Sequence, residues 1–366
     1  MNSPVPEDIR LPPTPRWPQF AQNIAYLTAG RWFLTRMTKR YGTAFTMRIP
    51  VFGPTVTVTD PVLAKALFQQ PGDAVKGVDA NLGLVLGAGS TFGLQGEKQH
   101  AHRKLILPQF HGNRMRAHDE LIEQEVLREV SSWPEGREFP VLPSTLRITL
   151  HSILRTVFGA EGPELRALLS LMPRLVSAGE RFAILPWLRR DWGKWSPWGR
   201  VVLMRKQFDQ IVGSLIDSAL ADPNLDQRVD VLSLLLQARY DDGTPMSRSD
   251  VCDELLTLVV AGHETTANEL AWAFERLRRH PDVLRRLTAE VDEGGSSLLR
   301  ATVQEVLRTR PVIDGSARKV VAPSIALGPW RIPRGYNVAV SISLMHFNEL
   351  VYEDARAFKP DRFVGK

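Results

Sequence analysis

Residues 247–280 read SRSDVCDELLTLVVAGHETTANELAWAFERLRRH, and this stretch decides the fold. Ser247 with Asp250 three residues later is typical of a helix N-terminus, and Pro281 predicts where the helix stops. At 1.5 Å per residue such a helix is about 45–50 Å long, which is enough to cross a whole domain. The sequence therefore predicts one long helix that crosses a mostly helical protein.

The middle of this helix, residues 261–266, reads AGHETT and is poor helix-forming sequence. Glycine costs about 1 kcal/mol relative to alanine, and threonine side chains compete for backbone carbonyls. Residues of low helix propensity at the centre of an otherwise strong helix indicate a functional site. Gly262 allows a flat group to approach the backbone, Thr265 offers a hydroxyl, and Glu264 offers a neighbouring acid.

Two other interpretations of these residues have to be weighed. His263-Glu264 begins like the zinc-protease pattern H-E-x-x-H, but the fifth position is Ala267, so the second zinc ligand is missing. The remaining alternative is a kinked structural helix in which Thr265 bonds to a carbonyl and Glu264 faces solvent. These six residues alone leave the structural and the functional interpretation open.

Helical periodicity dominates the rest of the chain, while strand-like alternation is confined to residues 43–59 and 312–343. Because the two strand-rich stretches are far apart in sequence, we expect them to meet as a small side sheet. We predict a single domain over residues 1–366, mainly α with a small β subdomain. The other predicted helices lie at about 121–130, 146–158, 200–220, 230–239, 282–292 and 297–309.

The composition argues against a membrane-spanning, a disulfide-rich or a nucleic-acid-binding protein. With 43% hydrophobic and 23% charged residues, the 366-residue chain has the composition of a globular protein. No apolar run reaches the roughly 18–20 residues of a membrane span, and residues 1–18 lack the apolar core of a signal peptide. The single cysteine, Cys252, excludes an intramolecular disulfide framework and favours a cytoplasmic location. The net charge of +6 is scattered and accompanied by no nucleic-acid-binding motif.

Two later motifs support the functional interpretation. Glu305 and Arg308 form an E-x-x-R pattern on one face of a partly apolar helix. Alone, such a pair is usually a surface contact worth about 0.3 kcal/mol. Arg362 lies between aromatic residues in the sequence FKPDRF at 358–363 and could complete a charged network with the pair. The order and spacing of the three motifs are more specific than any one of them.

Taken together, the motifs resemble those of the cytochrome P-450 family of haem monooxygenases. Residues 261–266 match the family's [AG]-G-x-[DE]-T-[TS] pattern, and residues 360–363 match P-[ED]-R-F. The resemblance extends from about residue 10 to the end and is closest to soluble bacterial members. It implies a haem cofactor with Ala261 and Gly262 against its face. Thr265 would hold a water and the dioxygen, and Glu264 would pass protons inward.

The resemblance also assigns roles to other residues, and some of them match the family pattern more closely than others. Glu305, Arg308 and Arg362 would be a structural network behind the haem, and Arg318 would pair with a haem propionate. Arg103 occupies the position of a second propionate ligand. Where the family commonly has Trp or His four residues earlier, this chain has Gln99, with His100 one place away, and both stay open. Residues 187–198, which hold four tryptophans, would be the loop over the substrate entrance.

The family's axial cysteine is expected shortly after Phe363, but the 366 residues end before such a motif. The resemblance thus predicts a P-450 fold that lacks its haem loop and last helices, and Cys252 lies on the wrong side of the haem. We expect a monooxygenase acting on a lipophilic small molecule with dioxygen and electrons from NAD(P)H. A separate ferredoxin or flavoprotein reductase would supply those electrons. The alternative is a truncated, inactive relative with weak or no haem binding.

Overall fold

The computed structural model describes residues 9–50, 52–78, 82–110, 116, 118–184 and 193–365. Its internal contacts divide the chain into two compact units. The first unit comprises residues 1–78 with 272–366, and the second comprises residues 79–271. The boundary between them falls inside the long helix that the sequence predicts.

Helices make up most of the described chain. The second unit contains a run of helices from α3 to most of α10, and the first contains the others. The helices are α1 (Gln19–Tyr41), α2 (Pro61–Phe68), α3 (Leu82–Leu86), α4 (Gly96–Ile106), α5 (Asp119–Val130), α6 (Leu142–Phe158), α7 (Gly162–Ile184), α8 (Pro197–Ala221), α9 (Val231–Gln237), α10 (Arg248–Arg279), α11 (Pro281–Asp292), α12 (Ser297–Thr309) and α13 (Ile342–His346).

The long helix α10 begins and ends where its sequence indicates. The Ser247 hydroxyl accepts a hydrogen bond from the Asp250 amide at 3.2 Å, which satisfies one of the free N–H groups of the first turn. Pro281, which cannot continue the hydrogen-bond ladder, starts α11 two residues after α10 ends. The N-terminal half of α10 is buried almost all round, from Val251 to Thr257. This half can therefore form part of a core rather than a surface.

The first unit is built around a five-stranded sheet with the order β1-β2-β7-β4-β3. The parallel pair β2–β7 joins Thr55 to Asn337 in register, so residues from both ends of the chain share one sheet. β5 and β6 form a separate hairpin. The strands are β1 (Ala44–Ile49), β2 (Gly53–Val58), β3 (Val75–Gly77), β4 (Gly315–Val320), β5 (Ser324–Leu327), β6 (Trp330–Pro333) and β7 (Asn337–Ser341).

These elements confirm the prediction of a mainly helical fold with a small β subdomain. The single domain over residues 1–366 stays a prediction. The apolar core of the second unit includes side chains of α6, α7, α8, α9 and α10, with Leu154, Phe208 and Leu255 fully buried. This core holds one side of α10 in place. No helix in the part of the chain that the structure describes combines the length and apolar character of a membrane crossing.

Candidate active site on the long helix

One face of α10 is open at the middle of the helix, just after its buried N-terminal half. Ala261 is exposed and Thr265, one turn later, is half-buried, whereas Val259 and His263 are buried. Residues four apart lie above one another on a helix, so Ala261 and Thr265 form a short stripe of small side chains. The side chains of this stripe are small, and the binding of a flat group against it stays a prediction.

The other side of α10 packs against α6. His263 lies 3.2 Å from the Leu146 carbonyl through Nε2, and burial lowers the pKa of His263, so the neutral ring donates this hydrogen bond. A Cβ built on Gly262 would lie 2.4 Å from Ile153 Cδ1, so the end of the Ile153 side chain would have to shift to admit it. Gly262 thus lies on the face of α10 that α6 approaches closely. Contact of Gly262 with a cofactor stays a prediction.

The close approach at Gly262 can be tested by a double-mutant cycle. Gly262→Ala gains up to about 1 kcal/mol in helix propensity, but in the wild type the new methyl meets Ile153 Cδ1. Ile153→Val removes that atom. We expect Gly262→Ala to be more stabilising in the Ile153→Val background than in the wild type, by about 1 kcal/mol in urea unfolding. Equal effects in the two backgrounds would show that Ile153 does not constrain Gly262.

Two side chains near the open face form hydrogen bonds with backbone carbonyls of the same helix. The Thr265 hydroxyl donates to the Ala261 carbonyl at 2.6 Å, and the side-chain Nδ2 of Asn268 donates to the Glu264 carbonyl at 2.7 Å. Because the hydroxyl hydrogen of Thr265 is used in this way, the Thr265 oxygen presents only lone pairs to the open face. Thr265 can therefore accept a hydrogen bond from a ligand or a water without breaking the helix.

Arg103 lies on the exposed side of α4, and its guanidinium makes no hydrogen bond or ion pair within the described residues. The two residues that the sequence left open differ in environment. Gln99 donates through Nε2 to the Thr91 carbonyl at 2.9 Å, so its amide holds the preceding loop. His100 is exposed. Of Gln99, His100 and Arg103, the residue that can offer a guanidinium to an anionic ligand is Arg103.

Arg318 lies on β4 in the first unit and is half-buried. Its guanidinium stacks 4.8 Å from the centre of the Phe68 ring, and Nη1 donates to the Ala317 carbonyl at 3.0 Å. Stacking on an aromatic ring fixes the plane of a guanidinium without neutralising its charge. Arg318 is thus a preoriented cation.

The E-x-x-R pair of α12 is completely buried in the first unit. Arg308 donates to Glu305 twice, from Nε at 2.7 Å and from Nη2 at 2.8 Å, and the two side chains are 2% and 0% exposed. Glu305 also accepts the Lys359 amide at 2.7 Å. Arg362 completes the predicted group, with Nε at 3.2 Å from Glu305 Oε2. The structure thus brings the three predicted side chains together.

Arg308 also organises the chain that follows α13. Its Nη1 donates to the carbonyls of His346 and Ala355 at 2.8 and 2.7 Å, and its Nη2 donates to the Ala357 carbonyl at 3.0 Å. Every donor on this guanidinium therefore has an acceptor, as a buried charge requires. The contacts indicate a structural role: the pair clamps an irregular segment onto α12.

Cys252 lies on α10 and is buried. Thirteen residues of helix separate it from Thr265, which corresponds to about 20 Å along the axis. Burial, with a smaller contribution from Asp209, raises the pKa of the Cys252 thiol to about 11. At neutral pH this thiol is protonated and is a poor metal ligand. Among the described residues, no group of His, Cys, Asp and Glu side chains has the arrangement of a metal site.

The sequence interpretation missed a buried polar cluster at the start of α10. Glu254 accepts hydrogen bonds from the Thr91 amide at 2.8 Å and the Thr91 hydroxyl at 3.0 Å, and it lies 3.1 Å from His102 Nε2. His102 Nδ1 is 3.1 Å from the Tyr240 hydroxyl. Glu254 and His102 are 2% and 1% exposed. The adjacent acids Asp253-Glu254 within an apolar helical run are the signal that could have revealed it.

Asp253 extends this cluster to the neighbouring loop and to α8. It accepts from the Gly89 amide at 2.9 Å and pairs with Arg205, whose Nη1 donates to the Leu86 carbonyl at 2.8 Å. A Cβ at Gly89 would lie 2.0 Å from an Asp250 oxygen, so only glycine allows the loop to come this close. The loop that precedes α4 is thus fixed to α10. Arg103 lies on α4 itself.

The predicted entrance loop is only partly visible. Of residues 187–198, those from 187 to 192 lie outside the described residues. Trp195 is 81% exposed, and Lys194 Nζ lies 5.2 Å from the centre of its ring. Trp198 is half-buried in the first turn of α8. The role of this loop at a substrate entrance stays a prediction.

The cytochrome P450 family model matches residues 11–366, which is nearly the whole chain. This chain therefore belongs to the cytochrome P450 family, whose members are haem-dependent monooxygenases. The family resemblance that the motifs indicate is confirmed.

Relatives and a solved structure agree with this assignment. The chain is 46% identical over 363 residues to cytochrome P450 138 of Mycobacterium tuberculosis, covering 99% of this chain and 82% of that one. It is 37% identical over 351 residues to cytochrome P450 137 of the same species, covering 94% and 73%. The retinoic acid-bound cyanobacterial CYP120A1 structure has a TM-score of 0.82 at 21% identity, covering 97% and 82%, which shows the same fold.

The second unit offers groups of the kinds that a haem group needs. Ala261 presents a methyl group on the open stripe of α10, Thr265 borders it, and Arg103 of α4 carries an exposed guanidinium, a group that binds carboxylates. In the first unit, Arg318 carries a guanidinium stacked on Phe68. Cys252, by contrast, does not fit the role of a thiolate ligand, because its thiol is buried and protonated.

Proposed function

We propose that this protein is a haem-dependent monooxygenase that inserts one oxygen atom of dioxygen into a lipophilic small molecule. The observation that carries the proposal is the open stripe of Ala261 and Thr265 on α10, with Glu264 next to Thr265 in sequence, in a chain of the cytochrome P450 family. Small side chains leave room for a flat cofactor, and a hydroxyl and an acid supply the polar groups that oxygen chemistry needs.

Arg103 and Arg318 would hold the propionates of the haem, and Ala261 and Gly262 would border its face. Haem with a thiolate ligand supplies the activation of dioxygen. The protein's own residues would position a water and exchange protons with it. Thr265 would accept a hydrogen bond from a water on the open face, since its own hydrogen is donated to the Ala261 carbonyl. Glu264 would exchange protons with that water.

The partners follow from the same chemistry. Electrons would come from NAD(P)H through a separate ferredoxin or flavoprotein reductase, and the location would be cytoplasmic. An apolar substrate is consistent with the small, uncharged side chains on the open stripe. We infer a lipophilic substrate class and no interaction with nucleic acid, since no nucleic-acid-binding motif accompanies the scattered net charge of +6.

For residues 1–366 taken alone, the second candidate is a polypeptide without catalytic activity that binds haem weakly or not at all. One observation favours it. Cys252 is the one cysteine of residues 1–366, and its buried, protonated thiol lies about 20 Å along α10 from Thr265. In residues 1–366 the thiolate ligand of an active family member therefore has no candidate.

Titration of residues 1–366 with haem distinguishes these possibilities. We expect a saturable absorption change, and no thiolate-type Soret band after reduction and addition of CO. Arg103→Ala and Arg318→Ala should each weaken haem binding about tenfold or more, since a hydrogen bond to a charged group contributes roughly 1.5–3 kcal/mol.

Each arginine has a matched control next to it in the sequence. Lys104 pairs with Asp241 at 2.8 Å on the surface, and Lys319 is exposed on β4. Lys104→Ala and Lys319→Ala should bind haem like the wild type. If the arginine and lysine variants bind equally well, the propionate assignment is wrong. Absence of saturable binding in the wild type would favour the second candidate, and a thiolate-type band would contradict the conclusion about Cys252.

A further inference from the structure

Glu269 is a half-buried residue whose carboxyl group the proposed function does not use. Both oxygens of its carboxyl group are shielded from solvent, and neither has a hydrogen-bond partner among the described residues. A buried carboxylate without a donor or a cation is costly, whereas a protonated carboxyl is a neutral group. The site therefore favours an acid that keeps its proton.

The position of Glu269 on α10 connects it to the open stripe. Glu269 is four residues after Thr265 and seven after Gly262, so it lies between the face that carries Thr265 and the face that packs on α6. The Cα–Cβ bonds of a helix tilt towards its N-terminus, and long side chains lie over the preceding turn. Helix geometry therefore favours a position of the Glu269 carboxyl over the turn of Thr265.

The electrostatic surroundings agree with this placement. Burial raises the pKa of Glu269 to about 7, and it is the only cause of the shift. The charged groups of the packed elements, Glu264 and Glu275 on α10 and His151 and Arg155 on α6, contribute nothing to it. At and below neutral pH a large fraction of Glu269 is therefore protonated and able to donate a hydrogen bond.

We propose that Glu269 holds a proton beside Thr265 and exchanges it with the water that Thr265 binds. Thr265 can act only as an acceptor towards the open face, so the water that it holds needs a donor on its other side. In the exchange, the O–H bond of Glu269 breaks and its proton passes to the water oxygen, while one O–H bond of that water breaks and its proton passes to solvent. The carboxylate that remains takes up a proton from solvent. The inference rests on the proposed function for its purpose, but its test does not need haem.

The first measurement compares wild type and Glu269→Gln of residues 1–366 without haem. The pKa of Glu269 in the folded state is above its ordinary value of 4.5, so the folded protein binds the proton more tightly. Its contribution to stability is present below that ordinary value and is lost as the pH rises through about 7. We expect the Tm of the wild type to fall relative to that of Glu269→Gln between about pH 5 and 8.

The matched control is Glu293→Gln, which changes an exposed glutamate in the C-cap of α11. Its Tm should run parallel to that of the wild type over the same pH range. If Glu269→Gln also runs parallel to the wild type, Glu269 carries no proton at neutral pH and the proposal is wrong.

The second measurement tests the link to Thr265. The carboxylic acid band of Glu269 is identified in infrared spectra as the band that Glu269→Gln removes, and its pH midpoint is then followed in two threonine variants. Thr265→Val should lower the midpoint, because the variant no longer holds the water that would accept a hydrogen bond from the protonated acid. Thr266→Val, which changes the exposed neighbouring threonine, should leave the midpoint in place.

An unchanged midpoint in Thr265→Val would show a buried acid unrelated to Thr265 and would overturn the proposal. Both measurements use the protein without haem, so failure of the haem titration leaves them interpretable. Conversely, a negative result for Glu269 does not affect the roles of Arg103 and Arg318.

Discussion

Replacing Glu305 by alanine is expected to lower the free energy of unfolding by about 3–5 kcal/mol, because it leaves the guanidinium of Arg308 buried without a counter-charge. It also removes the acceptor of the Lys359 amide. Domains are typically stable by only about 5–15 kcal/mol, so this one change removes a large part of the total. Urea unfolding followed by circular dichroism measures the effect.

The control is an ion pair in the same unit that is exposed, whereas Glu305 and Arg308 are buried. Arg286 pairs with Asp361 on the surface, where the side chains are 51% and 57% exposed. Arg286→Ala should cost less than about 1 kcal/mol, because exposed ion pairs contribute little. A loss of similar size in Glu305→Ala and Arg286→Ala would mean that the buried pair of α12 does not stabilise the fold.

Replacing Glu254 by alanine is expected to have the second largest effect, a loss of about 3–4 kcal/mol. The change leaves the Thr91 amide, the Thr91 hydroxyl and His102 without their buried acceptor. Because these contacts fix the loop before α4, we also expect faster hydrogen exchange at the Thr91 amide.

Asp241→Ala serves as the control for this prediction. Asp241 pairs with Lys104 of α4, but the side chains of Lys104 and Asp241 are 65% and 80% exposed. The variant should lose less than about 1 kcal/mol and keep the exchange rate of Thr91. If Glu254→Ala is as stable as Asp241→Ala, the buried cluster is not a stabilising element of the second unit.

Local signals predicted part of the fold well. The cap at Ser247 and the stop at Pro281 gave α10 its correct ends, and α12 was predicted at 297–309, as observed. Two long helices were missed. The side chain before α1 makes no cap, and Ala29 inside it has φ −144° and ψ 46°, which interrupts the helical pattern. Pro173 lies within α7, where a proline is normally read as the end of a helix.

The candidate site was predictable to the extent that its residues lie in short motifs. Glu305 and Arg308 are three residues apart, so their pairing follows from helix geometry. The contact of Glu254 with His102 joins residues 152 apart in sequence, and no local pattern indicates such a pair. The burial of Glu269 depends on the packing around α10, so its sequence gives only an acid four residues after Thr265.

The parallel pairing of β2 with β7 also sets an order for folding during synthesis. Their paired residues lie nearly 300 positions apart, and the whole second unit is inserted between them. At about 5–20 residues per second, a ribosome needs roughly 15–55 s to add that length of chain. The hairpin of β1 and β2 must wait through this interval with one edge unpaired, which exposes it to association with other chains. Residues 79–271 can fold meanwhile, while the edge of β2 stays unpaired until β7 has been synthesised.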